Sequence, residues 1–324
     1  MKLLAVDDDP IILELLSHLV ASIGGHEITT APSAQAALEL VRAPHIEPYD
    51  CFMLDIQMPV MDGVTLCRHL REFHQHAQTP ILMLTAMSDK RYIDDAFRAG
   101  ATDYITKPFD IAEIKFRLQA AEAHAAAAPL LARKVFAANK VAESAEDTRR
   151  KAALADPVTI IDVDGVIDYF AFENYISQLS RSALYGSTVF GVAIQGFPEL
   201  WAESTAFGLE CLVTDTAEAI SDCLSPHQYL ISYAGKGIYV CVVEGGHCPD
   251  LGQLADRINM RLYEMDLYFC DGRKLDMTVT TGRSFRLVWR PGHTAIDSIG
   301  DAYATAEEAA SHGVRQMVYP ERVI

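Results

Sequence analysis

The sequence contains no apolar run of about 18 residues, the length that a helix needs to cross a bilayer. Its seven cysteines are scattered without CxxC spacing, which argues against a zinc site or a disulfide framework. Positive charge is also scarce, since 27 Lys and Arg residues face 44 Asp and Glu residues and the formal net charge is -17. This charge would repel a phosphate backbone. We therefore expect a soluble, cytoplasmic protein that binds neither nucleic acid nor a membrane.

The length of 324 residues suits two domains better than one core. Residues 1–125 alternate short apolar strands with amphipathic helices, a pattern typical of a parallel sheet covered on both faces. Five such units predict a flavodoxin-like, doubly wound α/β domain, in which ligands bind at the carboxyl ends of the strands. In residues 156–324, apolar runs on either side of the short loop AGKG predict a hairpin within an α+β domain.

Residues 126–155 are rich in Ala, Glu, Lys and Arg and predict a helical linker, in which Pro129 ends one helix and a second, exposed helix follows. Two interpretations are open. Apolar residues at four–three spacing favour a short coiled-coil stalk that forms a homodimer. The alternative is a solvated helix lying against its own domain, because an alanine seam buries little surface.

Polar side chains stand at the ends of four predicted strands in the first domain. Asp7 and Asp8 follow the first strand, Asp55 ends the third, Thr85 ends the fourth and Lys107 follows the fifth. The carboxyl ends of parallel strands meet at one edge of the sheet, so we expect these side chains to converge on one pocket.

Clustered carboxylates need a counter-charge, and Mg²⁺ supplies one through oxygen ligands. We assign Asp8 and Asp55 as direct ligands and place Asp7 in contact through a water. The backbone carbonyl of Gln57, two residues beyond Asp55, is the third protein ligand.

Asp55 lies between a rigid strand tip and a loop, where a carboxylate can act as a nucleophile. A phosphoryl group transferred to it carries charge on three oxygens, and these require positive charge and hydrogen-bond donors from several directions. Lys107 offers the charge, while the Thr85 hydroxyl and the Ala86 amide offer the donors. Pro108 fixes the backbone after Lys107 and is a candidate for a cis bond.

Residues 1 to about 122 resemble the receiver domain of two-component response regulators. The family's acidic pair, phosphoacceptor, switch hydroxyl and lysine are matched by Asp7, Asp8, Asp55, Thr85 and Lys107. Tyr104 matches an aromatic residue that turns inward on activation. The resemblance implies a phosphorelay in which a sensor histidine kinase or a phosphotransfer protein phosphorylates Asp55 and the surface of the fourth helix, fifth strand and fifth helix is remodelled. Four charges on that surface are candidates for pairing across a dimer, namely Arg91, Asp95, Asp103 and Arg117.

The second domain resembles, in outline, the GGDEF domain of diguanylate cyclases. Residues 155–159 resemble its opening motif and residues 277–282 its VTVSIG strand. The signature falls on the segment Ala234, Gly235, Lys236, Gly237 and Ile238. Only Gly235 is retained there, because Lys236 and Gly237 replace the two carboxylates.

The resemblance therefore implies an inactive domain, since a lysine ammonium has no lone pair for a metal. The family's other metal, guanine and phosphate contacts are replaced by Ala193, Trp201, Ala310 and Val314. We expect this degenerate domain to act as a protein-interaction module for an unknown downstream protein. The first alternative is a receptor that binds GTP or cyclic di-GMP without catalysis, with Lys236 contacting the anion. The second, less favoured, is an active cyclase.

Overall fold

The structure is a computed structural model that describes residues 1–43, 47–86, 90–138, 160, 163–179, 184, 186–246, 248–269, 272–287 and 294–312. The chain divides into two compact units. Residues Met1–Glu146 and Glu173–Tyr175 make up the first, and Asp147–Phe172 and Ile176–Ile324 make up the second.

The first unit is built on a parallel sheet of five strands in the order β2-β1-β3-β4-β5. The strands are β1 Lys2–Val6, β2 Glu27–Ala31, β3 Cys51–Asp55, β4 Ile81–Thr85 and β5 Asp103–Thr106. Every residue of β3 and β4 is buried, as their unbroken apolar runs predict for strands covered on both faces. The order is that of flavodoxin-like domains, which confirms the predicted fold of this region.

Helices cover both faces of this sheet, and the sheet separates two apolar cores. They are α1 Pro10–Ile23, α2 Ala34–Arg42, α3 Gly63–Glu72, α4 Lys90–Arg98 and α5 Ile111–Ala138, with a short 3-10 helix at His74–His76. Three of them begin at a side chain that accepts a hydrogen bond from the first turn, namely Asp9, Ser33 and Asp62. These caps place the loops at the carboxyl edge of the sheet.

The fifth helix is longer than the sequence predicts. It continues through Pro129 to Ala138, so the predicted helix end at Pro129 is wrong. A proline costs the helix one hydrogen bond, but alanine has the highest helix propensity and the run Ala125–Ala128 precedes the proline directly. The rest of the predicted linker, residues 139–155, lies outside the described residues.

The second unit contains an antiparallel sheet of four strands in the order β7-β8-β6-β9. The strands are β6 Thr188–Ile194, β7 Tyr229–Tyr233, β8 Ile238–Val243 and β9 Val279–Arg286. The predicted hairpin is confirmed, because Tyr233 pairs with Tyr239 across the AGKG loop. In chain order the remaining helices are α6 Tyr169–Gln178, α7 Phe197–Glu203, α8 Ala206–Leu224, α9 Leu251–Glu264 and α10 Ala295–His312.

Two glycines allow α10 to approach the sheet closely. A Cβ atom at Gly191 in β6 would lie 2.5 Å from the carbonyl oxygen of Ala302, and one at Gly282 in β9 would lie 2.6 Å from the nitrogen of Ala306. Both contacts are with helix backbone, so no side chain can move aside for a larger residue. Within the described part of the chain, none of the helices is both long and apolar enough to span a bilayer.

Candidate functional site

The parallel register brings the predicted site residues to one edge of the first sheet. Asp55 is the last residue of β3 and is in register with Leu84, the residue before Thr85. Thr85 is in register with Thr106, and the backbone N–H of Lys107 donates to the carbonyl of Thr85 at 2.7 Å. The Lys107–Pro108 peptide bond is cis, as proposed from the sequence.

Three carboxylates and one ammonium group meet at this edge. Asp7, Asp8 and Asp55 each offer an oxygen atom, and these atoms lie within 4.8 Å of one another. The Nζ atom of Lys107 lies 2.7 Å from Oδ2 of Asp7 and 2.6 Å from Oδ1 of Asp55. Asp7 and Asp55 are buried and Asp8 is exposed, so the cluster opens to solvent on the side of Asp8.

Burial and charge oppose each other in this cluster. Burial raises the pKa of Asp55 above its usual range, and the charge of Asp7 adds to the rise, while Lys107 works against it. Burial acts to lower the pKa of Lys107, but hydrogen bonds and charge from Asp55 and Asp7 outweigh it and raise that pKa. The ammonium group is therefore protonated at neutral pH, and one positive charge faces three carboxylates. The donor set fits a hard divalent cation as the missing counter-charge.

The backbone around Asp55 depends on Gly63, a residue that the sequence analysis did not identify as part of the site. A Cβ atom on Gly63 would collide with the carbonyl oxygen of Asp55, and the Gly63 N–H donates to the carbonyl of Ile56 at 3.0 Å. Asp62 begins α3 by accepting from the Thr65 N–H at 2.7 Å. The loop after Asp55 therefore folds back against the strand that carries it. The Asp62-Gly63 pair, seven and eight residues after Asp55, was the available signal.

The remaining predicted residues flank the carboxylates. Thr85 is buried at the end of β4, and Ala86 follows it on the surface. Gln57 is exposed two residues past Asp55. Their assignments as phosphoryl donors and as a metal ligand stay predictions.

Tyr104 lies on β5 among the partly buried residues of a core cluster. Its ring stands edge-on to that of Phe97, with centroids 6.4 Å apart. Burial, helped by the charge of Asp103, raises the pKa of its hydroxyl.

Two of the four charged residues predicted on a dimer face form an ion pair with each other within the first unit. Nη1 of Arg117 lies 3.1 Å from Oδ2 of Asp103, and their side chains are only 14% and 2% exposed. β5 and α5 already hold these two side chains together within the unit, and their pairing across a dimer stays a prediction. Arg91 and Asp95 are exposed on α4, and their part in a dimer stays a prediction.

In the second unit the predicted signature segment forms the tight loop between β7 and β8. Gly235, Lys236 and Gly237 all have positive φ angles. The ammonium group of Lys236 lies 3.1 Å from a carboxylate oxygen of Glu307 on α10, and both side chains are about half exposed. The hydrogen bond to Glu307 is the main cause that raises the pKa of Lys236.

Of the other predicted replacements in this unit, Ala193 is buried in β6 and Trp201 is partly buried in α7. Ala310 lies on α10. Val314 and the opening motif at 155–159 lie outside the described residues.

Comparison with known proteins identifies the first unit. Residues 3–119 match the family model of the response regulator receiver domain. The chain is 37% identical over 119 residues to the DNA-binding dual master transcriptional regulator RpaA of Synechocystis, a match that covers 37% of this chain and 48% of RpaA. It is 39% identical over 119 residues to the transcriptional regulatory protein SrrA of Staphylococcus aureus, covering 37% of this chain and 46% of SrrA. The chain thus spans about half the length of these curated relatives.

Among solved structures, a putative response regulator from Chloroflexus aurantiacus is 35% identical, with coverage of 38% of this chain and 97% of that one and a TM-score of 0.35. The chemotaxis protein CheY4 of Vibrio cholerae is 33% identical, with coverage of 36% and 95% and a TM-score of 0.34.

Residues 3–119 are therefore the receiver domain of a response regulator. This supports a role in two-component signalling. Receiver domains typically bind Mg²⁺ at an acidic pocket, here the cluster of Asp7, Asp8 and Asp55. No family match supports the GGDEF resemblance of the second unit, which stays a prediction.

Proposed function

We propose that this protein is a response regulator that accepts a phosphoryl group on Asp55. The observation that carries the proposal is the position of Lys107, whose ammonium group lies within 2.7 Å of both Asp7 and Asp55. An ammonium group in this position stabilises negative charge at the end of β3. Of the three carboxylates, that of Asp8 is exposed to solvent.

In the proposed transfer, a carboxylate oxygen of Asp55 attacks phosphorus in line with the donor's phosphorus–nitrogen bond. As the new phosphorus–oxygen bond forms, the old bond breaks and its electron pair leaves with the donor nitrogen. Lys107 stabilises the charge on the phosphoryl oxygens, and the Thr85 hydroxyl and Ala86 amide donate hydrogen bonds to them.

The metal that fits this site is Mg²⁺. Asp8, Asp55 and the backbone carbonyl of Gln57 would hold it, with Asp7 contributing through a water. When bound, it would neutralise charge on the transferring group.

We further propose that the second unit is a degenerate GGDEF-like domain without cyclase activity that acts as a protein-interaction module. In support, the loop position where cyclases carry metal-binding carboxylates holds the ammonium group of Lys236, paired with Glu307 at 3.1 Å. An anionic nucleotide would have to displace Glu307 from Lys236. This displacement would lower the affinity for a nucleotide slightly, because the pair is half exposed.

Beryllofluoride, a phosphoryl mimic, tests the first proposal. We expect binding only with Mg²⁺, loss of binding in Asp55→Ala, and unchanged binding in the matched control Asp95→Asn, which alters an exposed carboxylate on α4. Calorimetry measures all three. Retained binding by Asp55→Ala would contradict the assignment.

Incubation with GTP and Mg²⁺ or Mn²⁺, followed by chromatography, tests the second. We expect no cyclic di-GMP, and its appearance would overturn the proposed inactivity. Calorimetry with GTP and with cyclic di-GMP separates the alternatives, because heat of binding without turnover would favour the nucleotide receptor.

A further inference from the structure

The carboxylate of Asp7 is held by a hydrogen-bond donor at each of its two oxygens. The backbone N–H of Asp9 donates to Oδ1 at 2.9 Å, and the ammonium group of Lys107 lies 2.7 Å from Oδ2. The Asp7 side chain is only 2% exposed. Two donors at different oxygens fix the rotation of the carboxylate. The direction in which Asp7 meets Lys107 therefore depends on the position of the Asp9 N–H.

That N–H is set in place by the start of α1. Asp9 is the N-cap of the helix and has an extended backbone, with φ -90° and ψ 112°. Its Oδ1 accepts from the N–H of Ile11 at 2.8 Å, and its carbonyl accepts from the N–H of Leu13 at 3.2 Å. Pro10 follows directly and favours the same extended backbone in the residue before it. The cap therefore holds the backbone from which Asp9 donates to Asp7.

The side chain of Asp9 bonds to the helix, and its link to the pocket runs through the backbone. Among the described residues, the carboxylates close enough to share a cation are those of Asp7, Asp8 and Asp55. From the Asp9 N–H, a continuous series of contacts leads through Asp7 and Lys107 to Asp55. The last contact joins Nζ of Lys107 to Oδ1 of Asp55 at 2.6 Å.

We infer that Asp9 is a positioning residue for the acceptance of a phosphoryl group by Asp55. This inference rests on the proposed function. By capping α1, the Asp9 side chain holds the N–H that orients Asp7, and Asp7 in turn holds the ammonium group of Lys107 beside the nucleophile. Its negative charge is not required. A neutral side chain that caps a helix as well as aspartate should serve, whereas alanine should not.

The affinity for beryllofluoride in the presence of Mg²⁺ tests the role of the cap. Asp9→Ala removes the capping oxygen, and we expect the phosphoryl mimic to bind about fivefold more weakly than it binds the wild type, the ratio that loss of a typical cap produces. Asp9→Asn removes the same charge but keeps a capping oxygen, so we expect its affinity to equal that of the wild type. Asp9→Ser should behave as Asp9→Asn does. Calorimetry measures all of these affinities.

Ser33→Ala is the matched control. Ser33 caps α2 in the same way, by accepting from the N–H of Ala36 at 3.2 Å, and it stands outside the series that leads to Asp55. In urea denaturation without metal, we expect Ser33→Ala and Asp9→Ala to lower the free energy of unfolding by similar amounts. Only Asp9→Ala should weaken the binding of beryllofluoride.

The outcomes separate the two claims. If the wild type binds no beryllofluoride, the proposed function fails. If the wild type binds it and Asp9→Ala binds it equally well, the proposed function stands and the inference is overturned. The inference is also overturned if Asp9→Asn loses as much affinity as Asp9→Ala, because charge would then be the cause. An equal loss in Ser33→Ala would overturn it as well, because the cause would then be general instability.

Discussion

Two lysines, one in each unit, hold the key positions of their sites in opposite environments. Lys107 is 18% exposed and bridges Asp7 and Asp55, whose side chains are 2% and 8% exposed. Lys236 is 45% exposed and pairs with Glu307, which is 47% exposed. A charge that is removed from a buried cluster leaves its partners without a counter-charge, whereas water replaces a surface partner. The same residue type is therefore tightly constrained in the receiver and only weakly so in the hairpin.

Substitution of Lys107 by methionine should have the largest effect. It leaves two buried carboxylates unneutralised, and we expect the free energy of unfolding of the receiver domain to fall by about 3 kcal/mol. Urea denaturation without metal measures the loss. We expect added Mg²⁺ to recover part of it, because the cation replaces the lost positive charge. A loss that Mg²⁺ does not change would mean that Lys107 acts through packing instead.

The second-largest effect should appear when alanine replaces Gly63 at the site, compared with the same substitution at a glycine outside the site. Gly63→Ala places a methyl group against the carbonyl of Asp55. We expect the free energy of unfolding to fall by about 2 kcal/mol and beryllofluoride to bind more weakly. Gly300→Ala is the control, since a Cβ atom there meets nothing within 4 Å and lies in α10. The free energy of unfolding of that variant should rise by up to about 1 kcal/mol. Thermal and urea denaturation measure both variants. If Gly63→Ala and Gly300→Ala changed the free energy of unfolding equally, the role of Gly63 in shaping the site would be contradicted.

A smaller effect should appear as a pH dependence of the first unit. His76 is buried with its ring edge-on to Phe52, and burial, then the charge of Arg71, lower its pKa below the ordinary value of 6.5. As the pH falls below 6.5, the unfolded chain takes up a proton that the folded site does not. The free energy of unfolding therefore falls between 6.5 and the lower folded pKa.

Replacement of the imidazole tests this. His76→Asn should flatten the acid side of the stability profile, measured by urea denaturation at a series of pH values. A profile that is identical in wild type and His76→Asn would rule out the assignment.

The receiver could be predicted from sequence because its signals are local. Central strands such as β3 are continuous apolar runs, and the site residues stand directly at their ends, so strand identity places Asp55 and Lys107 together without further information. Helix caps such as Ser33 and Asp62 fix the helix starts in the same local way.

What could not be predicted depends on contacts between distant residues or on competition between propensities. Arg117 and Asp103 appear as free surface charges in sequence, and only the packing of α5 on β5 pairs them. At Pro129, the alanine-rich context outweighs the local helix-breaking signal.

The smallest expected effect completes the comparison of the two lysines. Lys236→Met removes one partner of an exposed pair, so we expect the free energy of unfolding to fall by less than about 1 kcal/mol. High salt should reduce even this difference, because exposed charges are screened. Urea denaturation at low and high salt measures both. A loss as large as that of Lys107→Met would mean that the hairpin depends on the Glu307 pair for its shape, and the second unit would then resemble the receiver in how its lysine is constrained.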